Sequence, residues 1–244
     1  SRITKEGLPE FYFKDIPPVS SIGLKITRPE VYYGELPNDY VFVNTRAQEF
    51  DYPYGDENKF TNYQGKGGVP VASTFRKGLL AARFGTIKIL LSQDITADSR
   101  VLFNRNVMER AQMVAPFLRF DRDPYLVISP EGRMVWFLDA YTVSRRVPYS
   151  EATRGMGNYI RNAVKVLIDA YDGTVDLYVS DPADPVIRAY QQIFPGLFKP
   201  LAEMPEGLRA HIRYPIDLFN LQAKLYALYH MENPQTFYNK EDLW

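Results

Sequence analysis

Apolar and polar positions change their spacing several times along the chain. In the first seventy or so residues, "FYFKDIPP" (11–18), "ITRPEVYYGELP" (26–37) and "YVFVNT" (40–45) are rich in aromatic and β-branched residues, and each meets proline or glycine within a few positions. That pattern predicts short strands ended by prolines. The glycines of "YQGKGGVPV" (63–71) predict a flexible turn ahead of a helix at about 73–84. They do not make a phosphate loop, because no lysine and hydroxyl residue follow the closing glycine and the G-x-G-x-x-G spacing is missing.

From Asp98 to Ala115 the period becomes helical, with Val101, Met108, Ala111 and Ala115 on one face and Arg105, Glu109 and Arg110 towards solvent. Asp98 or Ser99 is placed to cap this helix and Pro116 to end it. Arg100, Arg105 and Arg110 read as a solvated or salt-bridged face rather than an anion site. Two hairpins are predicted next. "YLVISPEGRMVWFLDAYTV" (125–143) turns at "PEG" and "VKVLIDAYDGTVDLYV" (164–179) turns at "DG". Leu138-Asp139-Ala140-Tyr141 and Ile168-Asp169-Ala170-Tyr171 nearly repeat each other. Either they are equivalent strands with their aspartates in similar roles, or the match is chance in a chain with 18 tyrosines.

The last sixty or so residues turn helical. "DPVIRAYQQIF" (184–194) and "YPIDLFNLQAKLYALYHM" (214–231) carry proline near their starts. Leu218, Leu221, Leu225 and Leu228 form a stripe that is expected to face a core. "PGLFKPLAEMPEG" (195–207) connects them and holds one short helix. The sum is an α+β fold with mostly antiparallel pairing and packed helices, in which nothing reads as β–α–β winding. The 244 residues are expected to form one segment, or two lobes with a break near 144–158.

Composition narrows the function classes. Apolar residues at 45% and charged residues at 24% belong to a folded chain, and 29 basic against 29 acidic residues leave no bulk field, local patches aside, to draw the chain to nucleic acid or to anionic lipid. Zero cysteines remove disulfides, thiolate nucleophiles, zinc fingers and iron–sulfur ligation. The same absence fits a bacterial extracytoplasmic segment, although many cytoplasmic proteins share it. No stretch reaches the ~18–20 apolar residues of a membrane helix, and no signal-peptide layout opens the chain. A start at Ser1 and a stop after "KEDLW" read as a piece of something longer.

Few catalytic sets are available. His211 and His230 lack H-E-x-x-H spacing, and there is no G-x-S-x-G elbow. Asp139 and Asp169 are the candidate catalytic carboxylates, since each sits in an apolar strand where an ionised acid must be hydrogen-bonded or paired. The competing reading has each accept backbone or tyrosine hydrogen bonds at a strand end. Tyr32 and Tyr33, Tyr52 and Tyr54, or Tyr226 and Tyr229 are either a platform for sugars, peptides or headgroups, or half-buried core. In "FDYPYGDEN" (50–58), Asp51, Asp56 and Glu57 offer oxygen ligands to a hard cation but depart from the alternating calcium-loop pattern. A structural loop is expected, with Asp56 and Glu57 turning the chain and Tyr52 and Tyr54 packing it; a cation site is the alternative. No cofactor is expected.

Taken together, "ITRPEVYYGE", "EFDYPYGDEN", "DITADSRVLFNRNVMERAQMVAPFLRFDRDPY", "WFLDAYT", "NYIRNAVKVLIDAYDGTV", "IFPGLFKP" and "LRAHIRYPIDLF" resemble the uncharacterised bacterial family UPF0182 over essentially the whole chain. The resemblance implies a large integral membrane protein, with several membrane helices followed by a long soluble region whose beginning this chain matches. It brings no activity, cofactor or catalytic residue. Two readings follow. The first is a non-catalytic extracytoplasmic binding or interaction module of a bacterial membrane protein, at the cell membrane, with the full-length protein and an envelope component or protein as partners. The second is an extracytoplasmic hydrolase using Asp139 and Asp169.

Overall fold

The computed structural model describes residues 2–36 and 40–242. The fold is α+β with mostly antiparallel sheets. The chain divides into two compact units, Ser1–Ala111 with Ile128–Trp136 and Ile168–Val175, and Gln112–Val127 with Phe137–Leu167 and Asp176–Trp244. Neither unit is a continuous stretch of sequence.

In the first unit a three-stranded antiparallel sheet joins Val41–Val43, Arg100–Leu102 and Val69–Pro70, with Arg100–Leu102 in the middle. Val43, Val71, Val101 and Leu102 are fully buried there. Helix α1 (Thr74–Phe84) begins at Ser73, whose hydroxyl accepts from the Arg76 amide, and ends at Gly85 in the left-handed region. With the short α2 (Lys88–Leu91) it puts Leu80, Ala81 and Ile89 against Val71 and Val101, and Tyr40, Phe42, Phe84 and Phe103 pack around them.

The helix expected from Asp98 starts later. Val101 pairs with Phe42 and Val69 as a strand, and helix α3 covers only Val107–Val114. Its start is set by Asn106, whose Oδ1 accepts from the amides of Met108 and Glu109, both at 3.0 Å. Long-range pairing of a β-branched residue outweighs the local helical period.

The early prolines shorten the predicted strands as well. "FYFKDIPP" supplies only Phe13–Lys14, paired with Val19–Ser20. The described residues 26–36 hold no strand, only a single bridge from Gly34 to Asn106, and residue 37 lies outside the described residues. The Tyr32 and Tyr33 amides instead both donate to the Ala170 carbonyl, at 3.0 and 2.9 Å. Tyr33 is buried, and its ring fills the space where a Cβ on Gly173 would stand 2.4 Å away. Gly173 also has φ 67°, so this position requires glycine twice over.

Most of the six-stranded sheet belongs to the second unit. Its strand order is Arg119–Phe120, Met134–Ser144, Tyr159–Asp169, Val175–Val179 and Phe198–Pro200, with Tyr125–Ile128 also paired to Met134–Ser144. Both predicted hairpins are present, turning at Pro130–Gly132 and at Asp172–Gly173. The long strands are buried over most of their length, as strands covered on both faces are.

Two expectations are corrected here. Val175–Val179 and Phe198–Pro200 pair in parallel across helix α4 (Pro185–Ile193), so one β–α–β crossover exists. A three-residue second strand is too short to carry a readable period. The connection after it holds a 3₁₀ turn and helix α5 (Glu206–Arg209). Helix α6 (Ile216–Tyr229) follows, and it has no buried residue: Leu218, Leu221 and Leu228 are half-buried and Leu225 is exposed. The leucine stripe therefore does not face a sealed core. Helix α7 (Pro234–Asn239), capped by Asn233, follows it.

Candidate functional site

The glycines at 65–68 are pinned rather than flexible. Tyr63 is buried, and its hydroxyl donates to Asp172 Oδ1 (3.1 Å) while accepting from the Gly67 amide (2.9 Å). Asp172 Oδ1 also accepts from the Lys66 amide at 3.0 Å, and the Tyr171 hydroxyl accepts from the Gln64 amide at 2.9 Å. Arg100 holds the other side, donating to the carbonyls of Gly67 (2.6 Å), Lys66 (3.0 Å) and Gly68 (2.9 Å). A Cβ on Gly65 would lie 2.2 Å from Asp172 Oδ1, and one on Gly67 2.3 Å from the Asp172 carbonyl oxygen. Close backbone approach is why glycine stands at both positions.

Beside this loop lies a cleft of about 250 Å³, lined among others by Arg28, Gln64, Lys66, Arg133, Tyr171 and Asp172. Asp169 braces three of its lining residues, Tyr171, Asp172 and Arg133. Its Oδ1 accepts from the Tyr171 and Asp172 amides (2.9 and 2.8 Å), and its Oδ2 pairs with Arg133 at 2.7 Å. The same Arg133 nitrogen reaches Asp172 Oδ2 at 3.1 Å, so two carboxylates share one guanidinium. Tyr171 stacks on Tyr63, with centroids 5.0 Å apart, and meets Tyr32 edge-on. Burial pushes the Tyr32 and Tyr63 hydroxyls well up, which keeps them neutral donors.

Arg28 differs from Arg133. Its guanidinium lies 4.7 Å from the Tyr171 ring centroid and donates to the Tyr171 hydroxyl (3.0 Å) and to Gln64 Oε1 (3.1 Å). Among the described residues, neither Arg28 nor the exposed Lys66 pairs with a carboxylate. Arg28 is thus oriented by an aromatic face and neutral acceptors, with no carboxylate paired to it among the described residues.

Asp139 has a different setting. It is 4% exposed, and it is met by Lys165, 6% exposed, whose ammonium donates to Asp139 Oδ1 and to Asn162 Oδ1. Burial raises the Asp139 carboxyl above the usual aspartate range, and the ammonium opposes that rise. Lys165 is not among the residues singled out from sequence, although a lysine within "VKVLID" is the kind of polar intrusion that marks a buried pair. Two further buried acids are missing from that set. Asp121 accepts from the Tyr141 hydroxyl and from the Asp217 amide (2.9 Å) at the start of α6. Asp184 caps α4 through the Ile187 amide (2.9 Å) and accepts from Thr142 (2.7 Å) and Tyr159. Its place just before Pro185 is a readable cap signal.

The expected equivalence of Asp139 and Asp169 fails: one is sealed mid-strand with a lysine, the other ends its strand and organises a turn. The expectation of backbone hydrogen bonds at a strand end describes Asp169 and not Asp139.

The acidic stretch forms a hairpin of Glu49–Tyr54 with Glu57–Thr61, with Gly55 at φ 63° opening a two-residue turn. Asp51 stands at the irregularity between Phe50 and Tyr52, and Glu57 is 4.0 Å from Lys59. Tyr54 is exposed under the Lys59 ammonium, so it does not pack the loop against a core as expected. No group of three metal-ligating side chains gathers among the described residues. Of the tyrosine groups, Tyr33 is buried and Tyr32 half-buried, while Tyr226 and Tyr229 are exposed. His211 serves through its backbone carbonyl, which accepts from the Tyr125 hydroxyl at 3.2 Å, and His230 ends α6. No helix among the described residues is long and apolar enough to cross a membrane.

Comparison with known proteins gives the chain a family. The model described as "Uncharacterised protein family (UPF0182)" matches residues 1–244. A UPF0182 protein of Pelobacter propionicus is 57% identical over 244 residues, which is 100% of this chain and 27% of that relative. Another, of Geotalea uraniireducens, is also 57% identical with the same coverage. A third, of Desulforamulus reducens, is 54% identical over 245 residues and is covered to 26%. This chain spans about a quarter of the length of these curated relatives. No solved structure matches. With its whole length matched by the family model, the chain belongs to UPF0182, a family of uncharacterised bacterial proteins.

Proposed function

We propose that this region is a non-catalytic extracytoplasmic binding module of a bacterial membrane protein, and that its cleft takes an oxyanion, a phosphate or carboxylate group of an envelope component. The observation that carries the reading is Arg28, held over Tyr171 and hydrogen-bonded to neutral acceptors with no carboxylate partner among the described residues. A cation oriented in advance loses little entropy when an anion arrives. Lys66 adds a second positive charge at the rim, and the pinned 65–68 loop keeps the wall in place.

The acids favour binding over hydrolysis. A general acid or base must exchange its proton with substrate. Asp139 is enclosed with Lys165, and Asp169 is occupied by two amides and Arg133. A cysteine-free sequence has no thiol to oxidise outside the cytoplasm.

Calorimetry with inorganic phosphate, and separately with acetate, tests the cleft. Saturable binding weakened about tenfold or more by Arg28→Gln is expected, since hydrogen bonds to charged groups contribute about 1.5–3 kcal/mol. Absence of binding, or binding unchanged in Arg28→Gln, overturns it. Glu151→Cys, in a full-length protein otherwise cleared of cysteine, tests the side of the membrane, because this region brings no thiol of its own. A membrane-impermeant maleimide is expected to label it in intact cells. Labelling only after lysis places the region inside and overturns that part of the reading.

A further inference from the structure

The α1–α2 hairpin is apolar on two sides. Leu80, Ala81 and Ile89 point into the first unit's core. Phe75 and Leu79 on α1, and Ile87 and Leu91 at α2, are 74%, 57%, 66% and 72% exposed. Each pair is spaced by four, so each makes a short stripe along its helix. Four large apolar side chains concentrated within 17 positions are more than scattered surface residues explain.

The charge on the hairpin itself is of one sign, with Asp94 standing just beyond it in the pocket that Lys88 and Ile89 also line. From Asn58 to Gln93 the sequence contains six basic residues and no acidic one, in a chain whose 29 basic and 29 acidic residues cancel only over its whole length. Four of the six, Arg76, Lys77, Arg83 and Lys88, lie on the hairpin itself. A protein partner recognised by apolar contact alone would not need this exclusion of acids. A nucleic acid would want aromatic rings interleaved with the basic residues, whereas the exposed stripes are mainly aliphatic. Basic flanks beside an aliphatic stripe match a bilayer surface, where the apolar face enters the boundary between headgroups and acyl chains and the cations meet anionic headgroups.

We infer that the α1–α2 hairpin docks on the surface of an anionic lipid bilayer through Phe75, Leu79, Ile87 and Leu91. This rests on the membrane association proposed above but not on anion binding in the cleft. Co-sedimentation of the chain with vesicles of phosphatidylglycerol and phosphatidylcholine is expected to show salt-sensitive binding, with little on phosphatidylcholine alone. The double change Phe75→Ser with Leu79→Ser weakens it at least about tenfold, as two buried apolar side chains are lost. Lys88→Gln weakens it about fivefold, one charge near the surface being removed. These side chains are exposed, so the thermal unfolding of the variants stays as in the parent. No binding to the anionic vesicles overturns the inference, and so does equal binding to neutral ones. Loss with Arg28→Gln but not with the double change moves the lipid contact to the cleft and overturns it too. A dimer in light scattering that the double change dissociates, without vesicle binding, assigns the stripe to a second copy of the chain instead.

Discussion

Leu138-Asp139-Ala140-Tyr141 and Ile168-Asp169-Ala170-Tyr171 share three of four residues and almost nothing else. In the first, every position is buried mid-strand, and the aspartate is enclosed with Lys165. In the second, the strand ends at the aspartate itself, which takes the Tyr171 and Asp172 amides onto one oxygen and holds the half-exposed Arg133 with the other. The difference teaches that the fate of an acid depends on what the chain does after it. Where the strand continues, a charge must find a partner inside. Where it stops, the backbone supplies the donors.

The largest test is on the sealed pair. Lys165→Met leaves Asp139 buried without its cation and is expected to cost about 3–5 kcal/mol in chemical unfolding. The double change Asp139→Leu with Lys165→Met recovers most of that loss, because an apolar pair has no desolvation penalty to offset. A loss under about 1 kcal/mol in the single variant would break the contrast.

Gly67→Ala comes next. Its Cβ meets the Asp172 carbonyl at 2.3 Å, so backbone must move, and a loss of about 1–3 kcal/mol is expected. A loop that truly flexed would absorb the methyl without effect.

Arg133→Met is expected to cost about 1 kcal/mol or less, since its side chain is 47% exposed, and the loss shrinks further in high salt. Lys165→Met keeps its full effect in the same salt, which sharpens the comparison.

Smallest is a pH effect. Burial raises the folded Asp139 carboxyl above the ordinary aspartate value of 3.8. The folded state therefore binds its proton at pH values where the unfolded chain has released it. Stability from this group falls as pH rises from the ordinary value through the raised one. Melting temperatures of the parent and Asp139→Asn across mildly acidic pH check this: the parent declines across that window, and the variant loses the slope.

Much of the framework is legible because its causes are local. Ser73 and Asp184 precede their helices as caps, and "PEG" and "DG" turn both long hairpins. What escapes has distant causes. Val101 carries a helical period, yet it is taken into a strand by pairing with Phe42 and Val69, and no window around Asp98 contains either residue. Helix α6 carries a leucine period whose stripe stays largely uncovered among the described residues. The cleft is least visible of all, since Arg28 finds Tyr171 across 143 positions and each alone reads as ordinary surface or core.

That the first unit is interrupted in sequence has a consequence for its birth on the ribosome. Tyr32 and Tyr33 emerge early, but the carbonyl of Ala170 that receives both amides, and the Tyr171 that anchors Arg28, are made far later. At about 5–20 residues per second, the 143 positions between Arg28 and Tyr171 take roughly 7–30 s to synthesise. For that interval the nascent segment carries unsatisfied donors and an open aromatic cluster, a window in which a holding chaperone has something to bind.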